Sequence, residues 1–336
     1  MKQTQIQKDV PSFYKALQEF FPIGAAVNPS TLVSGNDLLV KQFKSLTSEN
    51  HMKFENIQPQ EGVYTFENAD QIIDFAAAND KLVRGHTLVW HNQTPDWVFK
   101  NDCGEQASRE QVLERMSKHI STVVGRYKGK IHAWDVVNEA VTDSGPDLLR
   151  DSKWLQTIGE DYISKAFHFA HMADPDATLF YNDYNESNPE KREKIYTLVK
   201  GLVEQGVPIH GIGLQAHWNL YNPSLDDIRC AIERYASLGL QLHITEMDVS
   251  MFNFEDQRID LTEPTEEMVA LHQQRYEQFF SIFKEYKEVI SNVTFWGIAD
   301  DYTWLDDFPV VGRKNWPFLF DTKHQPKSSF WSIVNK

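Results

Sequence analysis

Apolar runs of strand length alternate with stretches of helical periodicity along most of this chain. Eight short apolar runs end in polar residues, and seven of them are separated from the next by a stretch in which apolar side chains recur every three or four positions. We predict strands at 20–27, 45–50, 82–90, 134–139, 178–182, 211–215, 242–246 and 293–298. A helix over 10–17 is predicted to precede the first strand, and further helices are predicted at 66–79, 112–127, 154–172, 225–238 and 266–286, with another opening at Pro189.

Strands that alternate with helices predict parallel pairing with right-handed crossovers. Eight such units favour an α/β fold closed into a single (β/α)8 TIM barrel, with an open doubly wound sheet as the alternative. No Gly/Ser/Pro-rich linker interrupts residues 1–336, so we expect one domain without an attached binding module. The longest irregular stretch, 300–315, contains Trp and Asp residues and predicts a functional lip over the barrel mouth.

Two of the predicted strands deliver a glutamate at their carboxyl ends. The fourth ends in Val-Val-Asn-Glu at Glu139, and the seventh ends in Ile-Thr-Glu at Glu246. Taken alone, either carboxylate is also suited to capping the following helix. Parallel barrels, however, carry their chemistry at this end, and glycoside hydrolysis needs two carboxyl groups, one protonated and one ionised. The pair therefore predicts a glycosidase.

The net charge and the aromatic content of the chain favour some classes of binding partner over others. The chain of 336 residues has a net charge of -15, which disfavours nucleic acid and acidic membrane surfaces and favours a neutral substrate. Its 9 Trp, 12 Tyr and 21 Phe residues exceed what a core requires, and the Trp residues lie beside polar motifs, as is typical of stacking on sugar rings. The sequence is equally compatible with a monomer and a homodimer.

The cysteines and the N-terminal segment indicate the cellular compartment in which the protein is expected. Cys103 and Cys230 are far apart and form no Cys-x-x-Cys motif, so neither a disulfide framework nor a zinc knuckle is predicted. The segment that begins at Met1 has no apolar core, and no stretch approaches 18 apolar residues, so we expect neither a signal peptide nor a membrane span. The expected location is the cytoplasm; the alternative is a signal that was removed and replaced by Met.

Polar and aromatic side chains follow the ends of the second to eighth predicted strands. Each one alone is ordinary, since a single His is more often a satisfied structural residue and a single Trp more often belongs to the core. Their convergence on one end of a barrel predicts a binding site. The set comprises Glu49, Asn50, Lys53, His86, Trp90, His91, Gln93, Asn138, Asn182, Asp183, Asn185, Gln215, His217, Asp248, Trp296 and Trp304.

Six motifs appear in order along nearly the whole chain. They are SENHMK at 48–53, GHTLVWH at 85–91, WDVVNE at 134–139, YNDYN at 181–185, GLQAH at 213–217 and ITEMD at 244–248. Together they resemble the motifs of the retaining β-1,4-xylanases of glycoside hydrolase family 10. The resemblance implies an endo-1,4-β-xylanase that hydrolyses xylan-derived chains by double displacement through a covalent glycosyl-enzyme intermediate, without a cofactor.

The resemblance also implies roles for individual residues. It makes Glu139 the acid/base, Glu246 the nucleophile and Asn138 a residue that contacts the sugar 2-hydroxyl. It further implies that the substrate is bound by Glu49, Asn50, Lys53, His86, Trp90, His91, Gln93, Tyr184, Asn185, Gln215, His217, Trp296 and Trp304, with Asp183 and Asp248 in support.

Physical reasoning favours the same division between the two glutamates. Hydrogen bonds from His217, itself paired with Asp248, are expected to keep Glu246 ionised. The negative field of Glu246 and burial against Trp90 are expected to raise the pKa of Glu139, so that it starts protonated.

Substrate specificity is expected to depend on the Trp304 side chain and on the cellular compartment of the enzyme. Trp304 is expected to fill the space of a hexose hydroxymethyl group and so to favour xylose over glucose by steric exclusion. Because polymeric xylan cannot cross a membrane, a cytoplasmic enzyme is expected to act on imported xylo-oligosaccharides or soluble xylan fragments.

Two other classes fit parts of the sequence. His86 with His91, or His168 with His171, is compatible with a barrel metalloenzyme, although metal-binding His residues are normally backed by carboxylates. A sugar-binding barrel without activity is the second alternative, and the presence of both Glu139 and Glu246 argues against it.

Overall fold

Residues 10–335 are described by the computed structural model of this chain, and residues 1–9 and Lys336 lie outside it. The predicted lack of a leader at Met1 therefore concerns residues outside the described part. No helix within 10–335 is both long enough and apolar enough to cross a membrane.

Parallel strands form a closed barrel in the described part of the chain. The strands are β1 (Ile23–Val27), β2 (Ser45–Ser48), β3 (Leu82–Trp90), β4 (Ala133–Asn138), β5 (Thr178–Asp183), β6 (Gly211–Leu214), β7 (His217–Asn219), β8 (Gln241–Ser250) and β9 (Ile290–Phe295). β1 pairs with both β2 and β9, and β6 pairs with β8, so eight strands close the ring while β7 pairs with β8 alone. The predicted (β/α)8 barrel is confirmed and the open sheet is wrong.

Helices separate the barrel strands. They are α1 (Phe13–Ala16), α2 (Pro29–Ser34), α3 (Asn36–Gln42), α4 (Phe54–Ile57), α5 (Glu67–Ala78), α6 (Arg109–Arg126), α7 (Lys153–Ile158), α8 (Tyr162–Ala173), α9 (Pro189–Glu204), α10 (Leu225–Ala236), α11 (Glu266–Glu285) and α12 (Ser328–Val334). Short 3-10 helices span Asp96–Phe99 and Trp304–Asp306. The final strand, for which no following helix was predicted, is followed by α12.

Three elements depart from the sequence-based expectation. The strand predicted to end at Glu246 continues to Ser250 as β8. The single helix predicted at 154–172 is two helices, α7 and α8, because the chain turns at Gly159 with φ 96°, a conformation that side chains other than glycine rarely adopt. The three-residue strand β7 was not predicted, since its residues form no apolar run. It pairs His217 with Asp248 at the carboxyl end of β8.

Strand register and a glycine at position 213 together place polar groups in one row across neighbouring barrel strands. The pairings run from Trp90 to Asn138, from Asn138 to Asn182 and from Asn182 to Gly213. A Cβ atom on Gly213 would lie 2.2 Å from Asn182 Oδ1, so glycine is required for the Asn182 side chain to sit beside it. The strand ends thereby bring these residues together at the barrel mouth.

The predicted lip at 300–315 is held against the end of β8. Asn315 is buried, and its Nδ2 donates to Ser250 Oγ (2.9 Å) while its Oδ1 accepts from the Met251 backbone amide (3.0 Å). Asp306 accepts from the Asn315 backbone amide (2.9 Å), which closes the lip on itself. The lip therefore has defined contacts with the barrel.

Candidate active site

Glu139 follows the last residue of β4 and is nearly buried, with 9% of its surface exposed. Its φ of 57° lies in the left-handed region, which is uncommon for a residue with a side chain. Its Oε1 accepts hydrogen bonds from Gln215 Nε2 (2.9 Å) and Asn138 Nδ2 (3.1 Å), and Oε2 accepts from Trp90 Nε1 (2.8 Å). The carboxyl group is thus fixed on three sides.

Burial raises the pKa of Glu139, and the negative charges of Asp183 and Glu246 raise it further. Hydrogen bonds from Gln215 and Trp90 act in the opposite direction without reversing the shift. Two details differ from the sequence-based reasoning: the charge of Asp183 contributes more than that of Glu246, and the Trp90 N–H favours the ionised form. The direction, a carboxyl group biased towards protonation, is as expected.

Glu246 lies within β8 and is 4% exposed. Its Oε1 accepts from Asn182 Nδ2 (2.7 Å), and its Oε2 lies 3.1 Å from His217 Nε2. His86 Nδ1 is 3.8 Å from Oε1. Burial alone would raise the pKa of this carboxyl, but the field of His86 and the hydrogen bond and charge of His217 outweigh burial and lower it. Glu246 is therefore suited to stay ionised.

His217 bridges two carboxylates. Its Nδ1 lies 2.9 Å from Asp248 Oδ2, which also accepts from Trp304 Nε1 (2.8 Å). Burial lowers the pKa of His217, but Asp248 and Glu246 together raise it to about 10. The ring is accordingly an imidazolium that donates to both carboxylates, as the sequence predicted for the support of Glu246.

Lys53, Asn50 and Trp90 lie together beside the glutamate pair. Lys53 Nζ donates to Asn50 Oδ1 (2.9 Å) and lies 4.9 Å from the centre of the Trp90 ring. Burial lowers the pKa of Lys53, opposed chiefly by the charges of Glu246 and Glu49. The Lys53 cation and the Asn50 amide are suited to binding sugar hydroxyls, and the Trp90 indole is suited to packing against a sugar ring.

Glu49 is buried at the end of β2 and contacts two residues that the sequence reasoning missed. Its Oε2 accepts from Asn28 Nδ2 (3.1 Å), and the Tyr302 hydroxyl lies 3.2 Å and 3.1 Å from its two oxygens. Asn28 directly follows β1, so the rule that located the other strand ends would have found it there. Tyr302 has no such signal, because it reaches Glu49 from the lip.

A charged network lies on the other side of Glu139. The Tyr184 hydroxyl donates to Asp143 Oδ2 (2.7 Å) and accepts from Arg150 Nη2 (2.9 Å). Lys191 Nζ lies 2.9 Å from Asp183 Oδ1 and 2.7 Å from Asp143 Oδ1. Asp143, Arg150 and Lys191 were not predicted, since they lie in a loop and a helix away from the strand ends.

His86 and Trp296 line the floor near Glu246. His86 Nδ1 lies 3.0 Å from Asp135 Oδ2, which is also held by the buried Arg84, and the two rings of His86 and Trp296 meet edge to face at 5.2 Å. Arg84 and Asp135 are inside the barrel, and sequence analysis did not single out either. The pair fixes His86 in its position beside the nucleophile candidate.

Three predicted residues are less closely connected to the glutamates. His91 meets Trp90 edge to face at 5.9 Å, and burial followed by the charge of Arg150 lowers its pKa to about 4. Gln93 Nε2 donates to Glu55 Oε1 (3.1 Å) on the rim, and Asn185 is exposed. These positions are compatible with contacts to more distant sugar rings.

Residues 10–335 contain no ligand set for the metalloenzyme alternative. No three His, Cys, Asp or Glu side chains in this range are placed so that they could hold a metal ion. His168 is exposed on α8, and His86 is paired with Asp135.

A closed (β/α)8 barrel whose strand ends present one carboxyl biased towards protonation and one held ionised has the arrangement of a glycoside hydrolase. The family model for glycosyl hydrolase family 10 matches residues 12–336, and the chain belongs to that family. It is a retaining endo-1,4-β-xylanase of this family, acting by double displacement.

Known relatives are similar over nearly their whole lengths. An endo-1,4-β-xylanase of Geobacillus stearothermophilus is 62% identical over 326 residues, covering 97% of this chain and 98% of the relative. The solved structure of xylanase XynB from Paenibacillus barcinonensis, complexed with a conduramine derivative, is 59% identical with a TM-score of 0.96 and covers 98% and 99% of the two chains. A mutant structure in complex with xylotriose is 51% identical with a TM-score of 0.95, covering 97% and 100%.

Proposed function

We propose that Glu139 is the acid/base and Glu246 the nucleophile of this xylanase. The observation that carries the proposal is the opposite environment of the two carboxyl groups. Burial and neighbouring negative charge raise the pKa of Glu139, whereas His86 and the His217 imidazolium hold that of Glu246 low. A group that gives a proton and a group that attacks need these two states.

In the first step Glu246 attacks the anomeric carbon while Glu139 gives its proton to the departing glycosidic oxygen. The covalent ester neutralises Glu246, and one of the charges that raise the pKa of Glu139 is lost. Glu139 can then take a proton from water, whose oxygen attacks the anomeric carbon and displaces the Glu246 carboxylate, so that the sugar is released with retained configuration. The cation and amides of Lys53, Asn50 and Asn138 are proposed to hold sugar hydroxyls during both steps.

Variants of the two glutamates test this division of labour. Glu139→Ala should still form the glycosyl-enzyme from an activated aryl xylobioside, since a good phenolate leaves without a proton, and should then stall. Added azide should relieve the stall and give the β-azide. Glu246→Ala should form no covalent intermediate, and azide should attack from the vacated nucleophile face to give the α-azide. Product configuration by NMR distinguishes the two.

A fluoro-sugar label provides an independent check. It should attach to Glu246, and the wild-type enzyme should release the β product first, as a carboxylate pair about 5–5.5 Å apart requires. A label on Glu139, or an initial α product, would reverse the assignment.

We further propose that residues 1–336 act as one catalytic domain on short xylo-oligosaccharides in the cytoplasm. The catalytic family model spans residues 12–336, and Cys103 and Cys230 are both exposed and unpaired, which suits a reducing compartment. One similar solved structure holds xylotriose.

The test of substrate and location compares specific activity on xylotriose to xylohexaose with that on insoluble xylan, alongside fractionation of the native host. We expect higher activity on the oligosaccharides and the enzyme in the cell lysate. Equal activity on both substrates together with enzyme in the culture medium would contradict the proposal.

A further inference from the structure

Tyr181 is fully buried in β5, and its hydroxyl contacts the backbone that follows Glu139. The hydroxyl oxygen accepts hydrogen bonds from the backbone amides of Ala140 (3.0 Å) and Val141 (3.1 Å). These are the first two amides after the acid/base candidate. One side-chain atom therefore holds both residues at the point where the chain leaves β4.

The proton of the same hydroxyl points to a third partner. Tyr181 donates to Asp183 Oδ2 (2.5 Å), and the other oxygen of Asp183 accepts from the Tyr184 backbone amide (2.9 Å) and lies 2.9 Å from Lys191 Nζ. Asp183 and Lys191 are both buried. A hydroxyl has one proton and two lone pairs, and all three are used, so its orientation is fixed.

The segment held in this way carries a strained residue. Glu139 has φ 57°, and a residue with a side chain keeps this conformation only where its surroundings enforce it. Proton transfer requires the carboxyl to be within hydrogen-bond reach of the leaving oxygen, and a displacement of about 1 Å can cost roughly 100-fold in rate. Relaxation of the backbone at 139–141 would cause such a displacement.

We propose that Tyr181, oriented by Asp183, is a positioning residue for the acid/base: by holding the amides of Ala140 and Val141 it keeps the Glu139 carboxyl aligned with the glycosidic oxygen. Tyr181 is fully buried, so it acts through the backbone and not on the substrate. The inference rests on the proposed role of Glu139.

The test is Tyr181→Phe, which keeps the ring and removes the oxygen. If Tyr181 aligns the acid, kcat/KM for xylotriose, whose leaving group needs a proton, should fall roughly 10- to 100-fold. With 2,4-dinitrophenyl xylobioside, whose leaving group needs none, kcat/KM should change less than about threefold. An equal fall on both substrates, or no fall on either, would overturn the proposal.

Tyr276→Phe is the matched control. Tyr276 is also fully buried, and its hydroxyl donates to the Pro317 backbone oxygen (2.7 Å), away from the 139–141 segment. This variant should lose stability without changing the ratio of the two kcat/KM values. If the ratio changes as much as in Tyr181→Phe, the effect is general loosening and the inference is wrong.

Two further measurements make the outcome interpretable. Glu139→Ala is assayed on the same substrate pair. If Glu139→Ala shows no leaving-group dependence, the proposed function fails. If Glu139→Ala shows it and Tyr181→Phe does not, only the positioning role fails.

Hydrogen exchange of the Ala140 and Val141 amides is measured on the wild-type enzyme and needs no variant. Exchange as fast as in the exposed 143–147 loop would show that the tyrosine does not hold them.

Discussion

Glu139 and Glu246 have identical side chains and opposite pKa shifts because of the groups that face them. Both are buried, so desolvation favours protonation of each. At Glu246 the field of His86 and the hydrogen bond and charge of His217 outweigh burial and lower the pKa. At Glu139 the hydrogen bonds from Gln215 and Trp90 do not offset burial and the charge of Asp183, so the pKa is raised. The chemistry therefore depends on neighbours several residues or strands away.

Asp183→Asn is expected to shift the pH dependence of kcat/KM. Loss of this negative charge lowers the pKa of Glu139, so the acid is deprotonated at lower pH and the basic limb of the profile should move to lower pH. The side chains that face Glu139 directly, namely Glu246, Gln215, Asn138, Trp90 and Lys53, are not altered by this substitution. Because Asp183 also accepts the Tyr181 proton, the measure is the position of the basic limb and not the height of the profile. The profile is measured with xylotriose.

Asp143→Asn is the control for that profile, since Asp143 is exposed and pairs with the same Lys191 but is not among the largest contributions to the pKa shift of Glu139. Its basic limb should stay in place. A basic limb unmoved in Asp183→Asn would show that Asp183 does not tune the acid.

Trp304→Ala is expected to weaken discrimination against glucosides. The ring stacks on Phe308 with centres 4.8 Å apart and meets at 5.0 Å the ring of His217, which contacts Glu246; we expect the indole to form a wall of the sugar site there. Removal of the wall opens space for a hydroxymethyl group, so the ratio of kcat/KM for aryl xylobioside to aryl cellobioside should fall roughly tenfold.

Trp304→Phe serves as the comparison, because it loses the hydrogen bond to Asp248 but keeps an aromatic wall. Its ratio should stay closer to that of the wild type. If Trp304→Ala leaves the ratio unchanged, another residue of the 300–315 lip excludes glucose.

At the scale of elements, short segments beyond the barrel complete the site. β7 has three residues, yet its pairing with β8 sets His217 opposite Asp248. The lip brings Trp304 to Asp248, which lies in β8, and brings Tyr302 to Glu49, which follows β2. The barrel strands and their ends supply the two glutamates and most of their direct partners, and these segments add His217, Trp304 and Tyr302.

Asn315→Ala is expected to loosen the lip. The buried Met251 amide and Ser250 hydroxyl lose their partner, and an unsatisfied buried amide costs about 1–3 kcal/mol. The free energy of unfolding should fall by about that amount, and hydrogen exchange across 300–315 should accelerate. Val311→Ala, at an exposed position of the same lip, should change neither. Exchange that is unaltered in Asn315→Ala would show that the lip is anchored elsewhere.

At the scale of the whole molecule, parallel closure gathers all strand ends at one mouth. β1 joins β9, so residues from the beginning and the end of the described chain meet, as Tyr302 and Glu49 do. The two carboxyl groups thus face one cleft and can supply both proton transfer and attack.

Activity on xylotriose is expected to be the same with and without EDTA. The proposed steps use carboxyl groups for acid, base and nucleophile, and within 10–335 no group of three His, Cys, Asp or Glu side chains is arranged so that it could hold a metal ion. Activity that is lost in EDTA and restored by a divalent ion would revive the metalloenzyme alternative.

Local pattern alone was enough for much of the fold and for the centre of the site. The bounds of β3 were predicted as observed, and Glu139 directly follows β4 as expected, because a buried parallel strand is an apolar run that gives way to polar residues at its carboxyl end. Glu246 was expected at the end of its strand but lies within β8, which continues to Ser250. The broken helix at Gly159 and the short β7 were missed, since a glycine within an apolar pattern and a three-residue strand leave little periodicity.

Only the tertiary structure decided which side chains meet. The pairing of Tyr302 with Glu49, the charge of Asp183 near Glu139 and the hydroxyl of Tyr181 under two amides all depend on strand register and loop paths. Sequence determined that two carboxyl groups would share the barrel mouth, because alternation and strand ends are local properties. Their different protonation states follow from burial and from charges brought close by closure of the barrel, which no local pattern contains.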